Sequence, residues 1–280
     1  MVMQSNPASR SGGKRLSGDI ASSSPTLPLV TVITAVLNGD RHLGKCLESV
    51  LQQDYKNIEH IVLDGGSTDR TVDILRRYNN LIALWRSEQD KGVYDAWNKG
   101  LAEARGEWIC FLGADDEFLP GAVSSYMALA AKHPQAEYLS SRIRWVHPSG
   151  YELIRGEPWN SKSALRWMRV AHVGSMHRRR LFDRLGVFNT SFGSASDYEF
   201  LLRAKETLKA AYMPIITATM LAGGITDHPS AFADATRAKI VTGGRSPVLA
   251  TIELQIARVK VLLRPLRRVL RRTAIASAAK

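Results

Sequence analysis

The chain has 280 residues, 45% of them hydrophobic, and carries a formal net charge of +12. That is enough apolar material for one large domain with appendages, on a surface that seeks anions: phosphate-bearing substrates, acidic lipid headgroups or nucleic acid. Its two cysteines, Cys46 and Cys110, lie among apolar residues without metal or redox spacing, which excludes a disulfide framework and a CxxC centre.

Residues 1–28 are rich in Ser, Gly and Pro, carry Arg10, Lys14 and Arg15, and lack the apolar core of a secretory signal, so the composition predicts a disordered tail. From Leu29 short β-branched runs alternate with segments of helical period, the pattern of βαβ units around a parallel sheet. Strands are predicted over 29–37, 58–64, 81–87 and 108–113, and helices over 41–53, 69–78 and 93–104, with Ser67, Thr68 and Asp69 available to cap the second helix. Sheets of this kind bind ligands beyond the carboxyl ends of their strands. Those positions are Asn38, Asp64, Glu88 with Asp90, and Asp115 with Asp116. After Pro120 the pattern predicts a helix over 122–132 and a strand pair over 138–145 and 151–154 about the Pro148-Ser149-Gly150 turn. An Arg-rich helical stretch, a helix from Asp197 and a strand over 210–214 follow.

Acidic residues gathered at strand ends raise one another's charging cost unless a cation or a proton lies between them. Asp115 and Asp116, in FLGADDEFLP, present oxygens to a hard ion such as Mg²⁺ or Mn²⁺, which neutralises a diphosphate as a Lewis acid. A bare Asp pair also fits a helix cap; its place after the fourth strand of an alternating sheet favours ligation. Asp64 ends its strand in LDGGSTD, where two glycines let the backbone approach a planar ligand and the carboxylate accepts N–H groups of a nucleobase edge. The alternative is a tight Gly-Gly turn, with Asp69 capping the next helix. Asp90 in SEQDKGVYDAWNKG follows the third strand, with Lys91, Asn98 and Lys99 as nearby donors; each also fits ordinary loop or helix-face polarity. No G-x-G-x-x-G follows the first strand, and neither a P-loop nor a serine nucleophile elbow occurs, which removes the main support for dinucleotide oxidoreductases, P-loop NTPases and serine hydrolases.

Two runs, VTVITAVLNGDRHLGKCLESVLQQDYKNIEHIVLDGGSTDRTVDIL and SEQDKGVYDAWNKGLAEARGEWICFLGADD, hold several motifs in one order and spacing. They resemble bacterial glycosyltransferase family 2, especially its branch acting in O-antigen and other surface polysaccharide assembly. The likeness spans about 29–226 and implies an α/β GT-A fold, an inverting mechanism and a nucleotide diphosphate sugar as donor. Within it Ala35 and Asp64 match nucleoside positions and Asp115-Asp116 match the metal-binding DxD-type motif, with Asp116 the favoured ligand. Ala35, Asn38, Asp64, Asp90 and Asp115 are thus the candidate donor-binding set. The run HVGSMHRRRLFDRLGVFNTSFGSASDYEFLLR resembles the family's second half and places the general base at Asp197, with Glu199 next in line and a helix cap as the alternative role. Val173 stands where the family often has Gln after His172. Gly223-Gly224-Ile225-Thr226 resembles an element that closes over the site, and His228 is a further candidate metal ligand.

Between Ser163 and Arg184 lie six arginines and two histidines, a density that suits an acceptor bearing its own diphosphate, such as a polyprenol-linked saccharide, or else simple surface charge. The C-terminal IELQIARVKVLLRPLRRVLRRTAIA sets apolar residues at helical spacing against seven Arg/Lys between Arg258 and Arg272, with a kink expected at Pro265. Such a helix lies on an anionic membrane surface, or packs on protein. The expected organisation is a tail over 1–28, a GT-A domain over 29–228 (nucleotide half 29–119, acceptor half 120–228) and a basic helical extension over 229–280. The expected place is cytoplasmic, peripheral on the inner face of the cell membrane. A metal-dependent nucleotidyltransferase is the competing enzyme, but TAVLNGDRHL lacks its Gly-rich basic loop. Nucleic acid is not expected as a partner, because the C-terminal arginines have no aromatic stacking platforms among them.

Overall fold

The computed structural model describes residues 10–18, 24, 26–224 and 230–262, with side chains to Val259. In chain order its elements are β1 (Ser11–Gly12), β2 (Val30–Val36), α1 (Leu43–Leu51), β3 (Ile58–Asp64), α2 (Thr71–Arg77), β4 (Leu84–Ser87), α3 (Val93–Glu103), β5 (Trp108–Gly113) and β6 (Glu117–Phe118). Then come α4 (Ala122–Lys132), β7 (Tyr138–Val146), β8 (Glu152–Arg155), α5 (Ser161–Ala164), β9 (Met176–Arg178), α6 (Arg179–Leu185), α7 (Ser196–Ala204), β10 (Ala210–Leu221), α8 (Ala231–Val241) and α9 (Pro247–Leu262).

One sheet runs β1-β4-β3-β2-β5-β9-β7-β10-β6, with β8 hung on β7. The four strands β4, β3, β2 and β5 are mutually parallel. β2, nearly all β-branched, is covered on both faces, as a central parallel strand must be. One face packs Ile33, Leu63 and Phe111 under Trp97 of α3 and Phe200 of α7; the other packs Val32, Cys110 and Leu112 under Cys46 of α1 and Tyr126 of α4. Both cysteines are free, buried thiols. Helix α3 sits so close to β2 that a Cβ on Gly100 would lie 2.5 Å from Ile33 Cγ2, which is why a helix interior tolerates glycine there.

Three segments differ from expectation. Residues 10–18, assigned to the disordered tail, instead add β1 antiparallel to β4, with Gly13 at φ +115° because a Cβ would meet Ala83 O at 2.5 Å. Arg15 then pairs with buried Glu59 and donates from Nη1 to Glu103 O at 2.7 Å. In the Arg-rich stretch, read as helical, Met176–Arg178 forms a strand inserted antiparallel between β5 and β7. Strand β10 runs well past Pro214, since its register with β7 shifts between Tyr212 and Ile216 and the missing N–H falls in that irregularity. The C-terminal extension packs back on the domain through α8, where Ala238 clusters with Phe192, Ala195 and Tyr198 and Thr242 Oγ1 donates to Glu199 (2.9 Å); α9 in turn packs on α8, with Glu253 meeting Lys239 (3.4 Å) and Arg245 (2.6 Å). Its expected kink at Pro265 and the arginines beyond lie outside the described residues.

Glu59 also accepts from Arg105 N (2.6 Å) and Gly106 N (3.1 Å), so Arg15 neutralises a carboxylate that fixes the turn into β5. Removing one partner of a buried pair strands the other charge, so Arg15→Ala should lower unfolding free energy by about 3 kcal/mol while the native circular dichroism spectrum persists. A urea midpoint equal to wild type would show that the segment contributes nothing.

Candidate active site

A cavity of about 600 Å³ opens at the carboxyl ends of β2 and β5 and is closed on the far side by residues 168–173, the start of α3, the start of α7 and the end of β10. It brings together Ala35, Asn38, Asp115, Asp116 and Asp197; Asp64 and Asp90 stand beside it rather than in its lining.

The turn after β2 is laced to the turn after β3. Asn38, at φ +51°, donates its N–H to Ser67 Oγ (2.7 Å) and accepts from Thr68 N (3.0 Å), while Asp40 N donates to Asp69 Oδ2 (3.1 Å). Asp69 also accepts from Thr71 N at 2.9 Å, a turn bond just ahead of α2, whose cap position is Arg70 and carries no side-chain cap. Asp64 is fully buried, and its oxygens take Ser87 Oγ (2.6 Å), Ser67 N (3.1 Å) and Ser67 Oγ. The carboxylate thus ties β3, β4 and the glycine turn together. Asp90 leans on Gly65, where a Cβ would lie 2.7 Å from Oδ2, and Oδ1 accepts from Gly92 N at 2.8 Å. Of the donors expected near it, Asn98 is spent on Phe188 N and O, and Lys99 on Glu88 and Gln89 O.

Asp115 and Asp116 fold back over Gly113, whose absent Cβ leaves room for Asp116 Oδ2 at 2.7 Å and Asp115 Oδ1 at 3.0 Å. Asp116 is 4% exposed and accepts from Gly113 N (3.2 Å) and Leu221 N (3.3 Å). Burial, with the Asp115 charge second, pushes its pKa up to about 8. A divalent cation would offset both effects, so the pair fits a hard metal. No third His, Cys, Asp or Glu clusters with them among the described residues, and His228 lies outside those residues. Gly224 does line the cavity; Ile225 and Thr226 are also beyond description.

Asp197 is the second residue of α7, past the cap position at Ala195, and makes no cap bond. Its side chain instead enters the cavity, where the Tyr94 hydroxyl donates to Oδ1 at 2.9 Å and His172 Nδ1 lies 3.9 Å from Oδ2. Burial first, and the Asp197 charge second, hold Tyr94 protonated as a donor. His172 is stacked on Phe111 at 5.6 Å; its burial lowers the imidazole pKa against the opposing pull of Asp197, so the ring is neutral at physiological pH. Glu199 faces away, gripped by Arg203 (2.6 Å) and Thr242 (2.9 Å), which removes it as an alternative base.

The arginine cluster divides. Arg178 pairs with Glu107, Arg179 donates to Gly106 O, and Arg180 and Arg184 pair with Glu137, all at the amino ends of β5 and β7. Of the six arginines over 163–184 only Arg169 lines the cavity, paired there with Glu157 at 2.9 Å and joined by Arg155 from β8, which lies 4.3 Å over the Trp145 ring. Tyr94 and Arg155 are the site residues that sequence reasoning passed over. The run VYDAWNK puts Tyr94 and Trp97 three apart on one helix face, a spacing that reads as core alone.

The profile described as Glycosyl transferase family 2 matches residues 31–184. An uncharacterized glycosyltransferase of Mycobacterium tuberculosis is 35% identical over 212 residues, 73% of this chain and 80% of the relative. Among solved structures, Staphylococcus aureus TarS 1–349 in complex with UDP-GlcNAc superposes with a TM-score of 0.63 at 18% identity, covering 81% of this chain and 70% of that one. The mannosyltransferase PcManGT of Pyrobaculum calidifontis, in complex with GDP-Man and Mn²⁺, gives 0.58 at 21% identity over 95% of this chain and 80% of that one. At such identities the likeness is one of fold, and the fold is GT-A.

Asp116 makes stability depend on pH in a definite direction. Between about pH 4 and about 8 the metal-free folded protein keeps a proton that the unfolded chain, with an ordinary carboxyl at 3.8, has released. The unfolded state binds fewer protons, so in chelator unfolding free energy should fall as pH rises through that window. Asp116→Asn, which cannot titrate, should flatten the decline in urea titrations at pH 5, 6, 7 and 8; parallel curves for the two proteins would contradict the placement of that proton.

Proposed function

The chain belongs to glycosyltransferase family 2 and is a glycosyltransferase, and from that premise we propose that it moves a sugar from a nucleoside diphosphate donor, with inversion, to a hydroxyl of a saccharide acceptor. The observation that carries this reading is the sharing of one cavity by an adjacent carboxylate pair, of which Asp116 is buried, and a separate carboxylate oriented by a tyrosine. An inverting transfer needs one group for the departing diphosphate and another, on the acceptor side, to take the proton of the attacking hydroxyl. Asp115 and Asp116 would hold Mg²⁺ or Mn²⁺, which would supply Lewis-acid neutralisation of the leaving diphosphate. Ala35 and Asn38 border the nucleoside side; Asp64, through Ser67 and Ser87, and Asp90, against Gly65, brace the turn beside it. Asp197 is the base. Tyr94 fixes its carboxylate plane, and the rings of Trp97 and His172 exclude water behind it.

The acceptor reading is a lipid-linked saccharide met at a membrane, within surface polysaccharide assembly. Arg155 and Arg169 line the cavity, Arg169 with its guanidinium paired to Glu157 at 2.9 Å, and a diphosphate-bearing acceptor would compete with that carboxylate for it. No helix among the described residues is long and apolar enough to cross a bilayer. Helix α9, however, packs Ala250, Glu253 and Ala257 inward and leaves Val248, Ile252, Ile256 and Val259 exposed, an apolar stripe that leads into the basic run 258–272. That stripe supports peripheral docking on an anionic surface, in which apolar burial and headgroup attraction act together.

Asp197→Asn should cut turnover by roughly 10²- to 10⁴-fold while leaving nucleotide-sugar affinity unchanged. Product analysis belongs to the same experiment: free nucleoside diphosphate accords with glycosyl transfer, whereas pyrophosphate would reassign the enzyme as a nucleotidyltransferase. Near wild-type turnover would place the base elsewhere. For the membrane, Ile252→Ser with Ile256→Ser should abolish flotation with acidic liposomes without altering the melting transition, and high salt should weaken wild-type binding only in part. Wild-type protein that stays in the bottom fraction with acidic vesicles at low salt overturns the docking surface.

A further inference from the structure

Asp197 stands at the end of a turn that is gripped from outside the region matched by the family profile. Gly193 has φ +54° and ψ −128°, and a Cβ there would lie 2.6 Å from Asp234 Oδ2, so the carboxylate of α8 rests directly on the glycine. The same Oδ2 accepts from Ser194 N (3.1 Å), Ser194 Oγ (2.9 Å) and Ser230 Oγ (3.3 Å). One helical turn on, Arg237 donates to Ser191 O and lies 4.6 Å over the Phe192 ring. Ser196 Oγ completes the clamp from within, donating to Asn189 O and Gly193 O at 2.9 Å.

The turn so held controls a single proton. The Tyr94 hydroxyl has two acceptors, Asp197 Oδ1 at 2.9 Å and Ser194 O at 3.2 Å, and only one hydrogen to give. Where Ser194 O sits therefore decides how that hydrogen is shared, and with it the orientation of the Asp197 carboxylate. We propose that Asp234 is a positioning residue for Asp197, acting through the Gly193–Ser194 backbone and Tyr94. The inference rests on Asp197 being the base. It assigns to α8, a surface helix beyond the matched region, a part in catalysis separate from the membrane docking of α9. Asp234 is half-buried and belongs to a polar turn rather than to the apolar core, so its loss disturbs alignment before it disturbs folding.

Water can serve as acceptor, so release of nucleoside diphosphate from a nucleotide sugar in the presence of Mn²⁺ provides the assay, alongside donor titration calorimetry and thermal melting. Asp234→Ala should lower kcat by roughly 10- to 100-fold, the loss that attends misalignment of about 1 Å, with donor affinity within about twofold and a cooperative melt. Asp234→Asn keeps the accepting oxygen and should recover to within about threefold of wild type. In a Tyr94→Phe background the link is already cut, so Asp234→Ala should add less than about twofold. Full additivity with Tyr94→Phe, or a donor affinity that falls in step with kcat, overturns the proposal. With Asp197→Asn inactive, an Asp234→Ala enzyme at full turnover overturns the positioning role alone; Asp197→Asn at full turnover overturns the base assignment and this inference with it.

Discussion

The parallel register of three central strands is the constraint on which the site depends. Ala35 of β2 pairs with Leu63 of β3 and with Gly113 of β5, and Val36 pairs with Asp64, so three chain reversals begin at one height. Because β2 is buried on both faces, polar groups gather beyond its ends, and those of the cavity lie beyond its carboxyl end. Asn38, Asp64 and the Asp115–Asp116 pair meet there without any one element being shaped specially for them.

Two carboxylate environments follow from that placement and divide the chemistry. Asp116 is taken from water and set beside a like charge, which favours a proton or a cation over a bare anion. Asp197 keeps contact with the cavity and receives an O–H, an arrangement that orients an anion. A single cavity therefore holds one carboxylate whose charge must be cancelled and one whose charge is held ready.

Much of this organisation was legible from residue pattern, and the limits are physical. The strands 58–64 and 108–113 and the helix 122–132 have the observed bounds, since burial on two faces and period 3.6 leave a long imprint. β9 has three residues and β1 two, too few for any period, and the arginines of RRR disguised the former as helix. Charge density along the chain shows how many arginines exist but not which end of the sheet they face; four of them serve Glu107, Gly106 and Glu137 away from the cavity. Asp64 was legible as a strand-end carboxylate, whereas its Ser67 and Ser87 partners follow from loop conformation. Asp234 gave no signal, because its bonds reach forty residues back to a turn.

The ion pair between Arg15 and Glu59 bears on the order in which the protein is built. Segment 10–18 is synthesised before the partners it meets, and Arg15 also bonds a carbonyl at Glu103, 88 residues on. At translation rates of about 5–20 residues per second, the arginine waits roughly 4 to 18 seconds after it is made before that partner exists. Glu59 and strand β4 emerge within that interval, so β1 has its ladder partner before Arg15 has its full set of acceptors. The Arg15 site is therefore completed only once α3 has been made, although the arginine that fills it precedes every other member in the chain.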